Sequence, residues 1–470
     1  MESTHRLRQR YVLLCLLVAL ASLRICFAGV LWSDEDYHLA AAINILHGKI
    51  PYRDFWYDKP PLAALYYLAI GAAPGILLRL WDAAYILLCC FLGFRLSRSL
   101  WSEDEGLWTA LLIAFFTTFY LPSAAIPFAP DALLIAPHLA AIYFVQRGKP
   151  LVAGLFCGLG FWINVKALFV LAACVFWGWS AVLSFGAVVA VGVAGLVVSG
   201  SLLDYWYQVW AWGLSYASGS TVAHPWLLAL ERIGRWLGFH LALALAWVNG
   251  VSGQSDRWKL VTWLAFSFAA VCFGNHFAPR YFLQLLPPLT VVGAHGIVLA
   301  LRRGRWAVPV LALLLLVPLL RFGPRYVLMA RHAPWADIAM DLDSQAVAAR
   351  INAMKRPGDT LFVWGYRPDI YVFTRLSPPG QIWDSQPLTG VPADRHLTAQ
   401  EPSVTRQTEE NWSQAPLLLQ PVFFVDGLGP MNEKLSPERF EKMRRLLSNY
   451  REIGRTRLSI IYRRLGAPTS

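Results

Sequence analysis

Charged residues are scarce in this chain: Asp, Glu, Lys and Arg make up 15 % of its 470 residues, against about 25 % in ordinary soluble domains. With 57 % hydrophobic residues, 14 % aromatics and a mean hydropathy of +0.46, the composition excludes an ordinary soluble enzyme and describes a polytopic α-helical membrane protein. Acidic residues are outnumbered 29 to 41 by basic ones, giving a formal net charge of +12. In a membrane protein such an excess gathers in loops facing the cytoplasm, so it calls for no nucleic-acid partner. Cysteine is also thin: Cys15, Cys26, Cys89, Cys90, Cys157, Cys174 and Cys272 lie within or at the edges of apolar runs, and none forms a CxxC pair. That excludes a disulfide framework and a thiolate metal site. Nucleotide and hydrolase signatures are missing too, with no P-loop, no G-x-G-x-x-G after a strand, no H-E-x-x-H and no G-x-S-x-G. Any chemistry must therefore use a substrate that arrives already activated. No internal repeat of the inverted-repeat carrier kind stands out.

What the chain has is long apolar runs. A membrane-spanning helix takes roughly 20 such residues, and the runs with their charged interruptions predict about eleven transmembrane helices. They fall near residues 11–31, 80–97, 106–122, 131–146, 150–165, 167–179, 181–200, 236–252, 259–273, 281–300 and 306–321. Residues 11–31 follow Arg6, Arg8 and Arg10, but the run is long and no A-x-A stands directly before the acidic loop, which predicts an uncleaved first helix. Residues 60–78 are apolar but broken by Gly71, Pro74 and Gly75, and read as a helix that lies on the membrane or re-enters it. With that reading and the N-terminus cytoplasmic, Arg95/Arg98, Arg147/Lys149, Arg257/Lys259 and Arg302/Arg303/Arg305 all fall in short loops on one side.

The opposite face then receives the first external loop (32–79), the turn at 122–131, the segment 201–235, the turn at 274–280 and a hydrophilic tail. The expected organisation is a transmembrane domain over 1–321 and a C-terminal soluble α/β domain over 322–470. In the tail, residues 337–356 and 436–449 read as helices, while DTLFVWG, DIYVFT, VFFVDG and LSIIYRR read as short strands. Trp206, Tyr207, Trp210, Trp212 and Tyr216 suit an aromatic belt, or the lining of a lipid or sugar path.

The unusual polar residues share the external face. Asp34 and Glu35 can act as a general base or bind a cation, and Ser33 and Asp34 equally suit a helix N-cap. Lys59, held between Trp56-Tyr57-Asp58 and two prolines, suits a phosphate as a point charge or a snorkelling pair with Asp58. Asp131, between Pro130 and Pro137, needs a partner or a task at a span mouth, or else caps a helix. Lys166, bracketed by apolar residues, should face a carboxylate or an anionic ligand. The run GNHFAPRYFLQLLPPL brings His276, Arg280, Tyr281 and Gln284 to the same side.

Taken together, WSDEDYHLAAAINILHGKIPYRDFWYDKPPL, the following Arg79-Leu80, APDALL, NVKAL and PRYFLQLLPPL resemble integral-membrane glycosyltransferases of the GT-C fold, in the branch of the aminoarabinose transferases and protein O-mannosyltransferases. The resemblance covers about the first 320 residues, and GDTLFVWGYRPDIYVFT looks like the extracytoplasmic domain that follows such cores. It implies inverting transfer of a sugar from a polyprenyl-phosphate donor to a hydroxyl on a glycan, lipid or protein acceptor. Asp34 would be the base, with Glu35 and Asp131 as further catalytic carboxylates. Lys59, Arg79, Lys166 and Arg280 would bind the donor phosphate, and Tyr57, Asp58, His276 and Tyr281 the substrate. Related sequences often carry histidine where Arg280 stands here. The sequence assigns no cofactor, and the carboxylates leave a divalent cation open. The expected location is a bacterial inner membrane with the C-terminal domain periplasmic. The rival reading is a secondary transporter of an anionic or sugar-like substrate, using the same charges for coupling.

Overall fold

The computed structural model describes residues 2–214, 224–392, 400–414 and 420–466, so Tyr216 lies outside it. Each of the eleven apolar segments carries helix. Among the described residues, four helices are long and apolar enough to cross a membrane: Ile76–Leu100, Ala181–Val198, Pro279–Arg303 and Ala307–Ala330. Shorter apolar helices occupy Tyr11–Ile25, Pro150–Phe161 and Leu241–Val251. The last long helix runs past residue 321 to Ala330.

The first 116 residues build the frame of the site. Helix α1 (Glu2–Ile25) leads to the loop helix α2 (Ser33–Leu46), followed by α3 (Leu62–Leu68), α4 (Ile76–Leu100) and α5 (Glu103–Phe116). At 1.5 Å rise per residue, α3 spans only about 10 Å, too little to cross a bilayer. It is cut off by Gly71, Ala72 and Gly75, all with positive φ (+65°, +50° and +87°). The expected break at these glycines is therefore where the chain turns before α4.

Inside this frame lies a chain of buried charges. Arg79 on α4 donates to both oxygens of Glu35 on α2 (2.7 and 2.6 Å), to Asp82 (3.0 Å), and to the carbonyls of Phe27 and Val30. Asp82 lies 4.0 Å from Arg24 on α1, whose guanidinium also donates to the carbonyls of Ile126 (2.7 Å) and Ala125 (2.8 Å). Two cations face two anions, all at most 1 % exposed. Such an arrangement is tolerable in an apolar layer only because every charge has a partner of opposite sign.

The tail folds as helix Ala339–Asn352 and a four-stranded sheet of β1 (Leu361–Trp364), β2 (Phe423–Asp426), β3 (Tyr450–Arg455) and β4 (Ile460–Arg464), in the order β1-β2-β4-β3. β1 and β2 are parallel and the other pairings antiparallel. Alternation along the strands splits their side chains between two cores. Leu361, Val363, Phe423 and Val425 join the core that extends into the first loop and membrane helices, while Phe362, Trp364 and Phe424 build a separate core within the tail. The expected strand DIYVFT is instead a helix, Asp369–Thr374. Pro368 sets a helical φ at its start, and Ile370, Tyr371 and Val372 are buried on all sides, so the apolar run has no exposed face to alternate with. β3 was not foreseen; its exposed Arg451 and Glu452 hide the alternation.

The tail grips the first loop directly. Trp383 donates to the Trp56 carbonyl (2.9 Å), Trp56 N–H donates to the Gln381 carbonyl (2.7 Å), and Gln381 donates to the Tyr52 carbonyl (2.6 Å). Lys49 reaches the Pro378 carbonyl and Arg375 the Ala72 carbonyl.

Two expectations follow. Arg79→Met should cost roughly 3–5 kcal/mol by stranding Glu35 and Asp82, lowering the melting temperature in detergent, and Arg79→Lys should not restore it because an ammonium cannot form the fork. Trp383→Ala should cost about 3–5 kcal/mol and raise hydrogen exchange of residues 47–57 more than that of α4.

Candidate active site

Helix α2 starts abruptly. Trp32 is extended (φ −109°, ψ 156°), and its N–H donates to the Glu35 carboxylate (3.2 Å), which is also the Arg79 partner. Glu35 is thereby turned inward. Successive residues of a helix differ by about 100°, so the preceding Asp34 projects the other way, into a cavity of about 800 Å³.

That cavity is lined by Trp32, Ser33, Asp34, Asp58 and Lys59 from the first loop, by Arg232, His276, Arg280 and Tyr281 from the later membrane segments, and by Asp337, Met340, Tyr366 and Gln386 from the tail. Arg280 forms a direct ion pair with Asp34, the two side chains being about one-third and one-sixth exposed. Lys59 pairs with Asp58 at 2.6 Å and is 40 % exposed, so its ammonium remains accessible. The turn carrying Lys59 is fixed from behind: Tyr52 donates to the Lys59 carbonyl (2.8 Å) and Asp58 N–H donates to the Tyr37 hydroxyl (3.1 Å). Arg280 opens a 3₁₀ turn, Pro279–Leu285, after Asn275 and Phe277, two non-glycine residues in the left-handed region (φ +56° and +46°). Such residues cost about 1–3 kcal/mol each and persist only where surroundings hold them; here Arg232 donates to the Phe277 carbonyl (3.5 Å).

The structure separates the expected site residues into three groups. Asp34, Asp58, Lys59, His276, Arg280 and Tyr281 meet around the cavity. Asp131 and Lys166 form a buried pair (2.8 Å) one layer behind it, with the Lys166 ammonium 3.2 Å from the centre of the Tyr281 ring and Gln284 donating to the Asp131 carbonyl. Glu35, Arg79 and Tyr57 are sealed away from it. Glu35 and Arg79 satisfy one another, and a phosphate could reach Arg79 only by displacing its hydrogen bonds to Glu35, Asp82 and the carbonyls of Phe27 and Val30, so neither suits the catalytic or phosphate role expected of it. Tyr57 is fully buried, stacked on Tyr37 with its hydroxyl 2.6 Å from His38, a place that supports the loop and does not face the cavity.

Sequence reading missed Tyr366 and Arg232. Tyr366 packs on Tyr37 (centroids 5.5 Å) with its hydroxyl 3.5 Å from the Ser33 carbonyl, and burial among Asp58, Asp36, Asp34 and Asp384 raises its pKa well above the usual value, so it stays a proton donor. Gly365, at φ +118°, supplies the turn that aims it, and the Gly-Tyr pair within GYRPD was the available signal. Arg232 lies on a helix whose pattern reads as ordinary amphipathic surface. Among the described residues, no cluster of three or more His, Cys, Asp or Glu could hold a metal ion.

No family model matches the chain, and no curated protein matches it in sequence. Solved structures do match in fold. ArnT from Cupriavidus metallidurans bound to undecaprenyl phosphate superposes with a TM-score of 0.63 at 13 % identity, covering 97 % of this chain and 98 % of that one. The same protein in its apo state gives 0.59 at 12 % identity over the same shares. The chain therefore has the GT-C fold of that aminoarabinose transferase across nearly its whole length, tail included.

His38 sits one turn after Asp34 and is fully buried; burial first, then the charges of Lys59 and Arg280, lower its pKa from 6.5 to about 3. The folded protein thus keeps it neutral while the unfolded chain protonates it below pH 6.5, so its contribution to stability falls as pH drops from 6.5 toward 3 and is flat above. His38→Asn should flatten part of the acid-side fall in melting temperature; parallel curves for variant and wild type would rule this out.

Proposed function

We propose that this protein is a membrane glycosyltransferase that moves a sugar from a polyprenyl-phosphate donor to an acceptor hydroxyl, with inversion. The observation that carries the reading is the meeting, in one cavity, of a cavity-facing carboxylate, Asp34, with the cations Arg280 and Lys59, drawn from segments far apart in sequence. The fold shared with ArnT, whose structure holds undecaprenyl phosphate, supports a lipid-phosphate donor. The absence of a nucleotide cradle in the sequence agrees with a donor activated elsewhere.

In this mechanism the donor phosphate draws Arg280 away from Asp34 and takes Lys59 from Asp58 as a second cation. Asp34, released, accepts the acceptor proton while the acceptor oxygen bonds to the anomeric carbon. The bond from that carbon to the phosphate oxygen breaks, and its electrons stay on the lipid phosphate, which the two cations stabilise. Tyr366 offers a neutral hydroxyl to the same cavity, and Tyr281 holds Arg280 in place through the Lys166 and Asp131 pair beneath it. The first loop and tail lie on the extracytoplasmic side, which for a bacterial inner membrane is the periplasm.

The test is transfer from radiolabelled polyprenyl-phosphate sugars by purified protein. Asp34→Asn should reduce turnover by about 100-fold or more with donor binding retained, and Lys59→Ala should chiefly weaken donor binding. Full turnover by Asp34→Asn would sink the assignment. Passage of substrate across vesicles without any covalent product would favour a transporter.

A further inference from the structure

At the end of the membrane layer opposite the active-site cavity, helices Leu241–Val251, Leu286–Arg303 and Ala307–Ala330 enclose a second crevice of about 300 Å³. Its origin lies in three small residues. The first two helices cross with backbones in contact: a Cβ on Gly296 would lie 1.8 Å from the Ala246 carbonyl oxygen, and one on Gly250 would lie 2.3 Å from that of Val292. Gly296 and Ala300 thus form a floor without bulk, and the third helix, returning after the short turn at Gly304, closes only one side with Val310, Leu311 and Leu314. An apolar slot remains open towards the lipid.

Its mouth is polar and positive. Asn249 donates to the Gly296 carbonyl (2.7 Å) and accepts from the Arg303 guanidinium (2.8 Å), so Arg303 is fixed over the slot by a neutral partner and keeps its whole charge there. Arg302 and Arg305 are exposed beside it, and Trp306, which also lines the slot, is 61 % exposed. A groove for hydrocarbon capped by fixed positive charge and an indole at the interface matches one ligand class in both halves, because basic pockets between membrane helices select anionic head groups while the groove takes a chain.

We propose that this crevice is a binding site for an anionic glycerophospholipid, with one acyl chain along Gly296 and Ala300 and the phosphate on Arg303. It is a site distinct from the donor cavity, on the other end of helix Leu286–Arg303, and it stands whether or not the transferase reading is correct. By tying the ends of three helices together it would also stiffen the helix that begins beside Arg280.

The full-length protein is delipidated in detergent and titrated with phosphatidylglycerol or phosphatidylcholine, with bound lipid counted by native mass spectrometry. Phosphatidylglycerol should bind at least about fivefold more tightly than phosphatidylcholine, and Arg303→Gln should remove about fivefold, the worth of one basic residue at an anionic surface. Ala300→Trp, which fills the slot, should abolish the tight site while the charge at the mouth is unchanged. Equal binding of the two lipids by wild type overturns the proposal, whatever the variants do. So does undiminished binding by both variants, or a dimer that Ala300→Trp dissociates, which would assign the crevice to a second copy of the chain.

Discussion

The geometry of the candidate active cavity rests on the buried fork between Arg79 and Glu35. It joins α2, which carries Asp34, to α4, and through Asp82 and Arg24 to α1 and the carbonyls of residues 125 and 126. A carboxylate that served as base could not also be the anchor, because the anchor must be dry and fully paired whereas the base must be reachable. In the proposed mechanism, two acidic residues in succession at a helix start divide the two tasks. Glu35 is fixed inward with no exposure, and Asp34 is presented outward, partly exposed.

The second constraint is the tail. It covers the first loop through Trp383, Gln381 and Arg375, contributes Tyr366 to the cavity wall, and is itself stiffened by Arg367, which donates to Ser344, Ser459 and Asp343 and so locks helix Ala339–Asn352 to the β4 end of the sheet. Asp34 and Tyr366 are over 330 positions apart, yet both line one cavity. The cavity is thus made from the membrane core and the tail together, consistent with the matching length of ArnT, of which 98 % is covered.

Much of this was legible in the residues. The apolar runs all carry helix, four of them long and apolar enough to cross a membrane among the described residues, and the Gly71 to Gly75 break was visible as a break. The motif residues Asp34, Lys59 and Arg280 do converge on the cavity. Two things were not legible. Neighbouring carboxylates look alike in a sequence, and only the rotation of about 100° per residue along a formed helix decides that Glu35 turns to Arg79 and Asp34 to the cavity. Likewise DIYVFT has a strand's composition, and its helical start at Pro368 together with its packing against the helix Ala339–Asn352 and α2 makes it a helix. Tyr366 needed the tail to be docked before its role could be read.

In the proposed mechanism the Asp34–Arg280 pair is a resting arrangement which the donor phosphate opens. A structure of the protein with a polyprenyl phosphate bound tests this most directly. The account predicts phosphate oxygens within hydrogen-bonding distance of Arg280 and Lys59, the Asp34–Arg280 contact broken, and the Asp34 carboxylate facing the cavity while Glu35 remains on Arg79. A phosphate held elsewhere, with Arg280 still on Asp34, would contradict it.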